Sequence, residues 1–98
     1  MLSSKERSKL MSIASGEEAV FQVGKAGVTD VLIKELSDAL NARELIKINV
    51  LPAAGTGAKE VMEKLCASLG AEPVRAIGRK VILYKRPKDP AKAKIALS

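Results

Sequence analysis

The sequence predicts a single α/β domain in which a small mixed four-stranded sheet packs with helices. Apolar residues recur at helical spacing in three segments, and β-branched or aromatic residues cluster in four short runs. A two-residue turn that contains glycine separates the last two runs, as in a β-hairpin. The predicted element order is therefore α-β-α-β-α-β-β. The 98 residues suffice for one domain with a modest core.

The first predicted helix spans about Ser4 to Ser15. Ser3 and Glu6 have the spacing of a capping box, in which each side chain accepts a hydrogen bond from the other residue's backbone amide. A polar and glycine-containing break over residues 15–18 ends this helix. Ala19 to Val23 is then predicted as a short strand.

A glycine-bracketed basic turn follows this strand and precedes the second helix. Its four residues are Gly24, Lys25, Ala26 and Gly27. Glycines leave backbone N–H groups unshielded, and the N-terminus of the following helix adds partial positive charge, so the segment suits a phosphate group. The structural alternative is an ordinary strand-to-helix connection whose glycines only permit a positive φ.

The second helix and the strand after it form the most regular part of the pattern. Thr29 or Asp30 is the predicted N-cap, and the segment 41–44 ends the helix. Leu45 to Leu51 is predicted as a strand buried on both sides, closed by Pro52. The residues that alternate onto one face of this strand are Ile46, Ile48 and Val50.

The remaining elements are a loop, a helix and a hairpin. Pro52 to Gly57 is predicted as a loop, and Ala58 to Leu69 as a helix whose apolar residues follow helical spacing. Val74 to Ile77 and Val81 to Tyr84 are predicted to pair antiparallel across a turn made by Gly78 and Arg79.

The charge of the chain indicates a polyanionic partner. Lysine and arginine number 17 against 11 acidic residues, which gives a net charge of +6 and a pI of 9.7. Half of this excess lies in residues 86–98, which carry four basic side chains and one acidic one. We expect residues 1–86 to form the domain and residues 87–98, with two prolines and alternating Ala and Lys, to form a basic flexible tail.

The composition also excludes several functions. With a single cysteine, Cys66, and no histidine, the chain can form neither an intrachain disulfide nor a Cys/His zinc site, and histidine-dependent catalysis is excluded. We expect Cys66 to pack beside a helix stripe, and we expect no enzymatic activity, cofactor or small-molecule substrate. No apolar run approaches the ~20 residues that span a bilayer, and the N-terminus lacks the apolar core of a signal peptide, so we expect a cytoplasmic protein with no membrane partner.

Three separated motifs are shared with a known family. They are the Gly24–Gly27 turn, the Asn41–Lys47 junction between helix and strand, and the Ile77–Lys80 hairpin. With these motifs in this order, residues 2 to 86 resemble the CRM domain family, named for chloroplast RNA splicing and ribosome maturation. The most similar form is the free-standing bacterial YhbY-type protein.

The resemblance implies a fold, a partner and a set of binding residues. The fold is similar to the C-terminal domain of bacterial translation initiation factor three. The partner is ribosomal RNA, and single-domain members resemble assembly factors that associate with precursors of the large ribosomal subunit. The residues implied to contact RNA are Gly24, Lys25, Ala26, Gly27, Lys5, Arg7, Lys9, Arg43, Gly78, Arg79 and Lys80.

The residue types predict recognition of RNA shape and backbone rather than of bases. Lysine and arginine neutralise phosphates and release counterions. Phe21 and Tyr84 are the only aromatic residues, and both lie in predicted strands where we expect burial, so a stacking platform is not expected. We expect a monomer. The alternatives are a module that docks on ribosomal proteins or other assembly factors, and a binder of double-stranded DNA.

Overall fold

The computed structural model describes residues 2–16, 19 and 21–86, and these residues form three helices and one sheet. The predicted tail, residues 87–98, lies outside the described residues, so its flexibility and the boundary at residue 86 stay predictions. Among the described residues, no helix has the length and apolarity needed to span a membrane. The elements in chain order are α1 (Ser4–Ala14), β1 (Phe21–Val23), α2 (Asp30–Arg43), β2 (Leu45–Val50), α3 (Ala58–Leu69), β3 (Glu72–Ile77) and β4 (Lys80–Tyr84).

The four strands form one mixed sheet in the order β1-β2-β4-β3. β1 and β2 are parallel because α2 carries the chain back across the sheet between them, whereas β3 and β4 form an antiparallel hairpin. β4 also pairs antiparallel with β2, so β2 lies in the interior of the sheet. The predicted fold class and element order are confirmed.

Helices cover both faces of the sheet. The larger core lies on the face packed by α2 and α3 and includes the β2 residues Ile46, Ile48 and Val50, the face that the alternation predicted. A smaller core lies on the opposite face, where Leu10 and Ala14 of α1 pack against Ile82 and other sheet residues. Each core removes apolar surface from water, and together they make the three layers of the domain.

Local signals set most of the helix boundaries. At the start of α1 the Glu6 amide donates to Ser3 Oγ at 3.1 Å and the Ser3 amide donates to Glu6 Oε1 at 3.0 Å, which confirms the capping box. Thr29 is the N-cap of α2, and Gly70 ends α3 in the left-handed conformation. α2 ends before Glu44, which is buried and is the only non-glycine residue of positive φ in the described part of the chain.

The strands and the loop differ from the prediction at their ends. β1 begins at Phe21, two residues later than predicted, and β3 begins at Glu72, two residues earlier. β3 continues through Pro73 because it is an edge strand, where a residue without an N–H is tolerated. The predicted loop after β2 contains one short 3-10 turn, Pro52–Ala54.

The ionised carboxylate of Glu6 is expected to make the stability of the domain depend on pH. The backbone amide of Ser3 and then the Arg86 side chain hold the pKa of Glu6 below its ordinary value of 4.5. Because the folded-state pKa is lowered, this stabilisation is present above pH 4.5 and is lost as the pH falls through the lowered pKa. We expect Glu6→Gln to reduce the midpoint of thermal unfolding at about pH 7 and to have little effect at about pH 2.

Glutamine can still accept the hydrogen bond of the capping box, so Glu6→Gln removes mainly the charge. Glu63→Gln, at an exposed position of α3, is the matched control and should change stability little at either pH. A destabilisation by Glu6→Gln that is equal at both pH values would contradict a role for the ionised carboxylate.

Candidate nucleic-acid interface

The glycine turn is a tight reverse turn at the end of β1. The Gly27 amide donates to the Gly24 carbonyl at 2.9 Å, which places Lys25 and Ala26 at the exposed corner. Gly27 has a φ of +70°, and no atom lies within 4 Å of the position a β-carbon would take. The backbone conformation, rather than close packing, therefore requires glycine at this position.

The turn presents hydrogen-bond donors together with a positive charge. Within the described part of the chain, neither the Lys25 amide nor the Ala26 amide donates to another group. Backbone amides of this kind bind phosphate oxygens, and the Lys25 ammonium adds a mobile cation beside them. The small side chain of Ala26 lets a sugar-phosphate backbone approach closely.

The N-terminus of α2 contributes less than the sequence led us to expect. Val28 and Thr29 separate the turn from the helix, and Thr29 Oγ1 already accepts the Leu32 amide at 3.1 Å. Asp30 places an exposed carboxylate in the first helical turn, where it opposes a second anion. A phosphate beside the glycine turn would therefore be bound by the turn amides and by neighbouring cations rather than by the N-terminus of α2.

The β3–β4 hairpin lies at the same end of the sheet as the glycine turn. The Val50 amide at the end of β2 donates to the Arg79 carbonyl at 2.6 Å, and Val50 pairs with Val23, which directly precedes the turn. Gly78 has a φ of +56°, as a two-residue hairpin turn with glycine first requires. Arg79 and Lys80 are both exposed at this tip.

An open row of side chains connects these two features across the sheet. Its members are cross-strand neighbours: Gln22 pairs with Asn49, Asn49 with Lys80, and Lys80 with Ile77. The row lies on the face that α1 packs against, because Lys47, two residues from Asn49 on the same strand, donates from its Nζ to the Ala14 carbonyl at 3.4 Å. We call these four residues the open row.

Gln22 and Asn49 were not among the sequence-predicted site residues. The polar alternation of Lys47 and Asn49 along an otherwise apolar strand was the available signal. This alternation could not be assigned to a surface next to the hairpin without the strand order, which local sequence patterns do not contain.

The basic residues of α1 divide between two environments. Lys5 and Lys9 are exposed and lie four residues apart on one side of the helix. Arg7 is half-buried and lines a cleft between α1 and β3 together with Arg75. The three cations that the family resemblance groups together therefore do not share one surface.

Arg43 lies away from the other predicted site residues. It is the last residue of α2, which begins near the glycine turn and returns to the start of β2. Leu45 at that start pairs with Tyr84, at the far end of β4 from the hairpin tip. The parallel β1–β2 connection thus puts Arg43 at the opposite end of the sheet from the turn.

Two ion pairs between described residues lie at this opposite end. Arg86 Nη2 lies 2.9 Å from Glu6 Oε2, and Arg86 Nε lies 3.4 Å from Glu72 Oε2. One guanidinium thus compensates two carboxylates there. Lys25, Arg79 and Lys80 have no ion pair with any described residue, so their charge stays available at the other end. The turn and the hairpin therefore bring three exposed cations without a described ion-pair partner to one end of the sheet.

Neither a metal-binding cluster nor an activated cysteine is found among the described residues. No group of three or more acidic, cysteine or histidine residues lies close enough to hold a metal ion in the described part of the chain. Burial, followed by the charge of Glu72, raises the pKa of the Cys66 thiol, which keeps the thiol protonated and a poor nucleophile. Thr56 donates to Glu60 and so places a carboxylate at the start of α3, which disfavours phosphate binding by the Gly55–Gly57 segment.

Comparison with known proteins gives one family. The model of the CRS1 / YhbY (CRM) domain matches residues 2–85. The Bacillus subtilis "Probable RNA-binding protein YqeI" is 40% identical over 89 residues, which cover 91% of this chain and 93% of the relative. An "RNA-binding protein" of Haemophilus influenzae is 31% identical over 94 residues, which cover 96% of this chain and 94% of the relative.

A solved structure has the same fold over its whole length. It is the solution structure of the hypothetical protein SAV1595 from Staphylococcus aureus, a candidate RNA binding protein. The TM-score is 0.78 and the sequence identity is 32%, and the match covers 100% of both chains. The arrangement of helices and sheet described above is therefore one that a similar protein adopts in solution.

Proposed function

The chain belongs to the CRS1 / YhbY (CRM) domain family, and on this premise we propose that it binds structured RNA through the Gly24–Gly27 turn and the cations beside it. The observation that carries the proposal is the exposed turn, with two amides that have no acceptor among the described residues and with Lys25 at its corner. Relatives named as RNA-binding proteins support RNA as the partner.

The proposed binding surface extends from the turn to the hairpin tip. Arg79 and Lys80 supply two further cations at the same end of the sheet, and Gln22 and Asn49 add neutral hydrogen-bonding groups between them. Lys5 and Lys9 are proposed to contact more distant phosphates. A contact of Arg43 with the same RNA has the weakest structural support, because Arg43 lies at the opposite end of the sheet from the turn. Such contacts fix the orientation of RNA without reading its sequence.

Recognition is proposed to depend on RNA backbone and shape. Tyr84 is 2% exposed, and Phe21 is half-buried against the core formed with α2 and α3, so neither ring offers an open stacking surface. Double-stranded RNA is commonly recognised in this way, through phosphates and 2′-hydroxyls. We propose a structured ribosomal RNA as the target.

The proposed biological role is assembly of the large ribosomal subunit in the cytoplasm, by a monomer without catalytic activity. A small basic domain that binds phosphates in a sequence-tolerant manner can hold a folded RNA segment while other components assemble around it. The protein-docking alternative predicts that complex formation depends weakly on salt, and the DNA alternative predicts that duplex DNA competes as well as RNA does.

The domain, rather than the tail, is proposed to carry the affinity. We expect the full chain and a truncation after Arg86, which keeps the ion pairs of Arg86 with Glu6 and Glu72, to bind a fluorescent structured ribosomal RNA fragment in anisotropy titrations. Both proteins should bind the RNA at least about a hundredfold more weakly at 200 mM salt than at 50 mM salt, because several phosphate contacts each release counterions.

The truncation should lose at most about tenfold in affinity, because the tail holds only part of the net charge. A matched DNA duplex serves as competitor and tests the DNA alternative. Loss of all binding on truncation would place the affinity in residues 87–98 and contradict the proposal.

A further inference from the structure

The cleft between α1 and β3 is a separate candidate binding site. Its volume is about 460 Å³, and it is lined by Arg7, Ser8, Met11, Val74 and Arg75. Clefts that hold small organic ligands measure roughly 300–1,000 Å³. This cleft is therefore large enough for one nucleotide but not for a folded segment of RNA.

An irregularity in β3 shapes this cleft. The register of β3 against β4 shifts between Pro73 and Arg75, so Val74 is an extra residue in the strand. Successive side chains of a regular strand point to opposite faces, yet Val74 packs in the core beneath α1 and Arg75 pairs with Ile82 of that same core. The bulge thus brings an apolar side chain and a guanidinium to one side of the sheet.

The two arginines of the cleft are not engaged within the described chain. Neither Arg7 nor Arg75 forms a hydrogen bond or ion pair from its side chain to another described residue. Arg7 is half-buried, and its Nε is a buried atom without a hydrogen-bond partner among the described residues. Arg75 is exposed at the edge of the cleft, and a guanidinium without a carboxylate partner can bind an anion or stack on a planar ring.

The lining combines the properties that an unstacked nucleotide requires. Val74 is 6% exposed and Met11 is half-buried, so together they form an apolar floor. A guanidinium plane beside such a floor can stack on a base, and its N–H groups can donate to base edges or to phosphate. The Ser8 hydroxyl adds a small donor and acceptor.

The cleft adjoins the open row. Arg75 and Ile77 lie two residues apart on the same side of β3, a separation of about 7 Å, and Ile77 pairs with Lys80 at the hairpin. An RNA backbone that lies on the hairpin beside Ile77 and Lys80 therefore passes about 7 Å from Arg75 at the edge of the cleft.

We propose that the cleft takes one unpaired nucleotide of the bound RNA, with its base stacked on the guanidinium of Arg75 over Met11 and Val74. This inference rests on the proposed RNA-binding function and adds a preference for RNA helices interrupted by a bulged nucleotide. The rest of the surface contacts phosphates, which both interrupted and continuous helices carry.

The test compares two RNA hairpins of the same stem, one fully paired and one with a single unpaired adenosine. Anisotropy titrations of the wild type should show about tenfold tighter binding of the bulged hairpin. Arg75→Lys keeps the charge and removes the planar group, so it should reduce this ratio to about one while changing affinity for the paired hairpin by less than about twofold.

Arg43→Lys is the matched control, because it makes the same chemical change at an exposed position at the opposite end of the sheet from the turn, outside the cleft. It should leave the preference for the bulged hairpin intact. Retention of the preference in Arg75→Lys, or its loss in both variants, would overturn the assignment of the cleft. Wild-type binding to both hairpins with equal affinity would overturn it as well, whereas binding to neither would overturn the proposed function itself.

Discussion

Replacing both Lys25 and Arg79 by glutamate is expected to weaken binding of a structured RNA about a hundredfold at low salt. Each substitution removes one cation from the end of the sheet where the turn and the hairpin meet, and each adds a carboxylate that repels phosphate. Single charge-assisted contacts contribute on the order of 1–2 kcal/mol, so each single reversal should cost about tenfold.

The salt dependence gives an independent check of the same prediction. Each phosphate contact that is lost reduces the slope of log affinity against log salt by about 0.9, so the double variant should show a slope shallower by about two. The fold should be unaffected, because Lys25 and Arg79 are exposed and make no ion pair with a described residue.

The matched control for this variant is Lys59→Glu, at an exposed position of α3. It changes the net charge of the chain by the same amount as one single reversal. If Lys59→Glu weakened RNA binding as much as Lys25→Glu does, the affinity would depend on total charge rather than on the turn.

The second large effect concerns the core that holds the turn in position. Leu36→Ala is expected to reduce the free energy of unfolding by about 3 kcal/mol, within the range of 2–5 kcal/mol for buried leucine. Leu36 is 0% exposed and belongs to the core between α2, α3 and the sheet. Urea unfolding followed by circular dichroism measures the change.

Val31→Ala provides the comparison on the same helix. Val31 is 69% exposed, so its truncation removes little buried surface and should change stability by less than about 0.5 kcal/mol. A loss below about 1 kcal/mol for Leu36→Ala would contradict the packing of α2 against the sheet.

Features governed by neighbouring residues could be predicted from the sequence. The capping box of Ser3 and Glu6, the end of α3 at Gly70 and the Gly78-Arg79 turn each depend on hydrogen bonds or backbone conformations within a few residues. Alternation likewise predicted the buried face of β2. These elements agree with the structure within one or two residues.

Features that depend on strand order could not be predicted in this way. The open row exists because β4 lies between β2 and β3, an order that brings Asn49 beside Lys80. The bulge that turns Arg75 toward the cleft reflects the pairing of β3 with β4 and its packing against α1. Local residue patterns contain neither relation.

The composition of the candidate site was predictable only in part. The turn and the hairpin could be identified by their glycines and cations, and the structure brings them to one end of the sheet. Arg43 was grouped with them through the family resemblance, but the return of the chain along α2 separates it from them. The distance between Arg43 and the turn is set by the length of α2, which a short sequence motif does not contain.

Amide chemical shifts during RNA titration test the central proposal most directly, because they report contact at each backbone N–H. A nitrogen-15-labelled chain would be titrated with a structured ribosomal RNA fragment at moderate salt. If the turn binds the RNA backbone, the earliest and largest shifts are expected at Lys25, Ala26 and Gly27, together with Arg79 and Lys80. Unchanged turn amides, with shifts confined to residues 87–98 or to the surroundings of Arg43, would contradict the proposal.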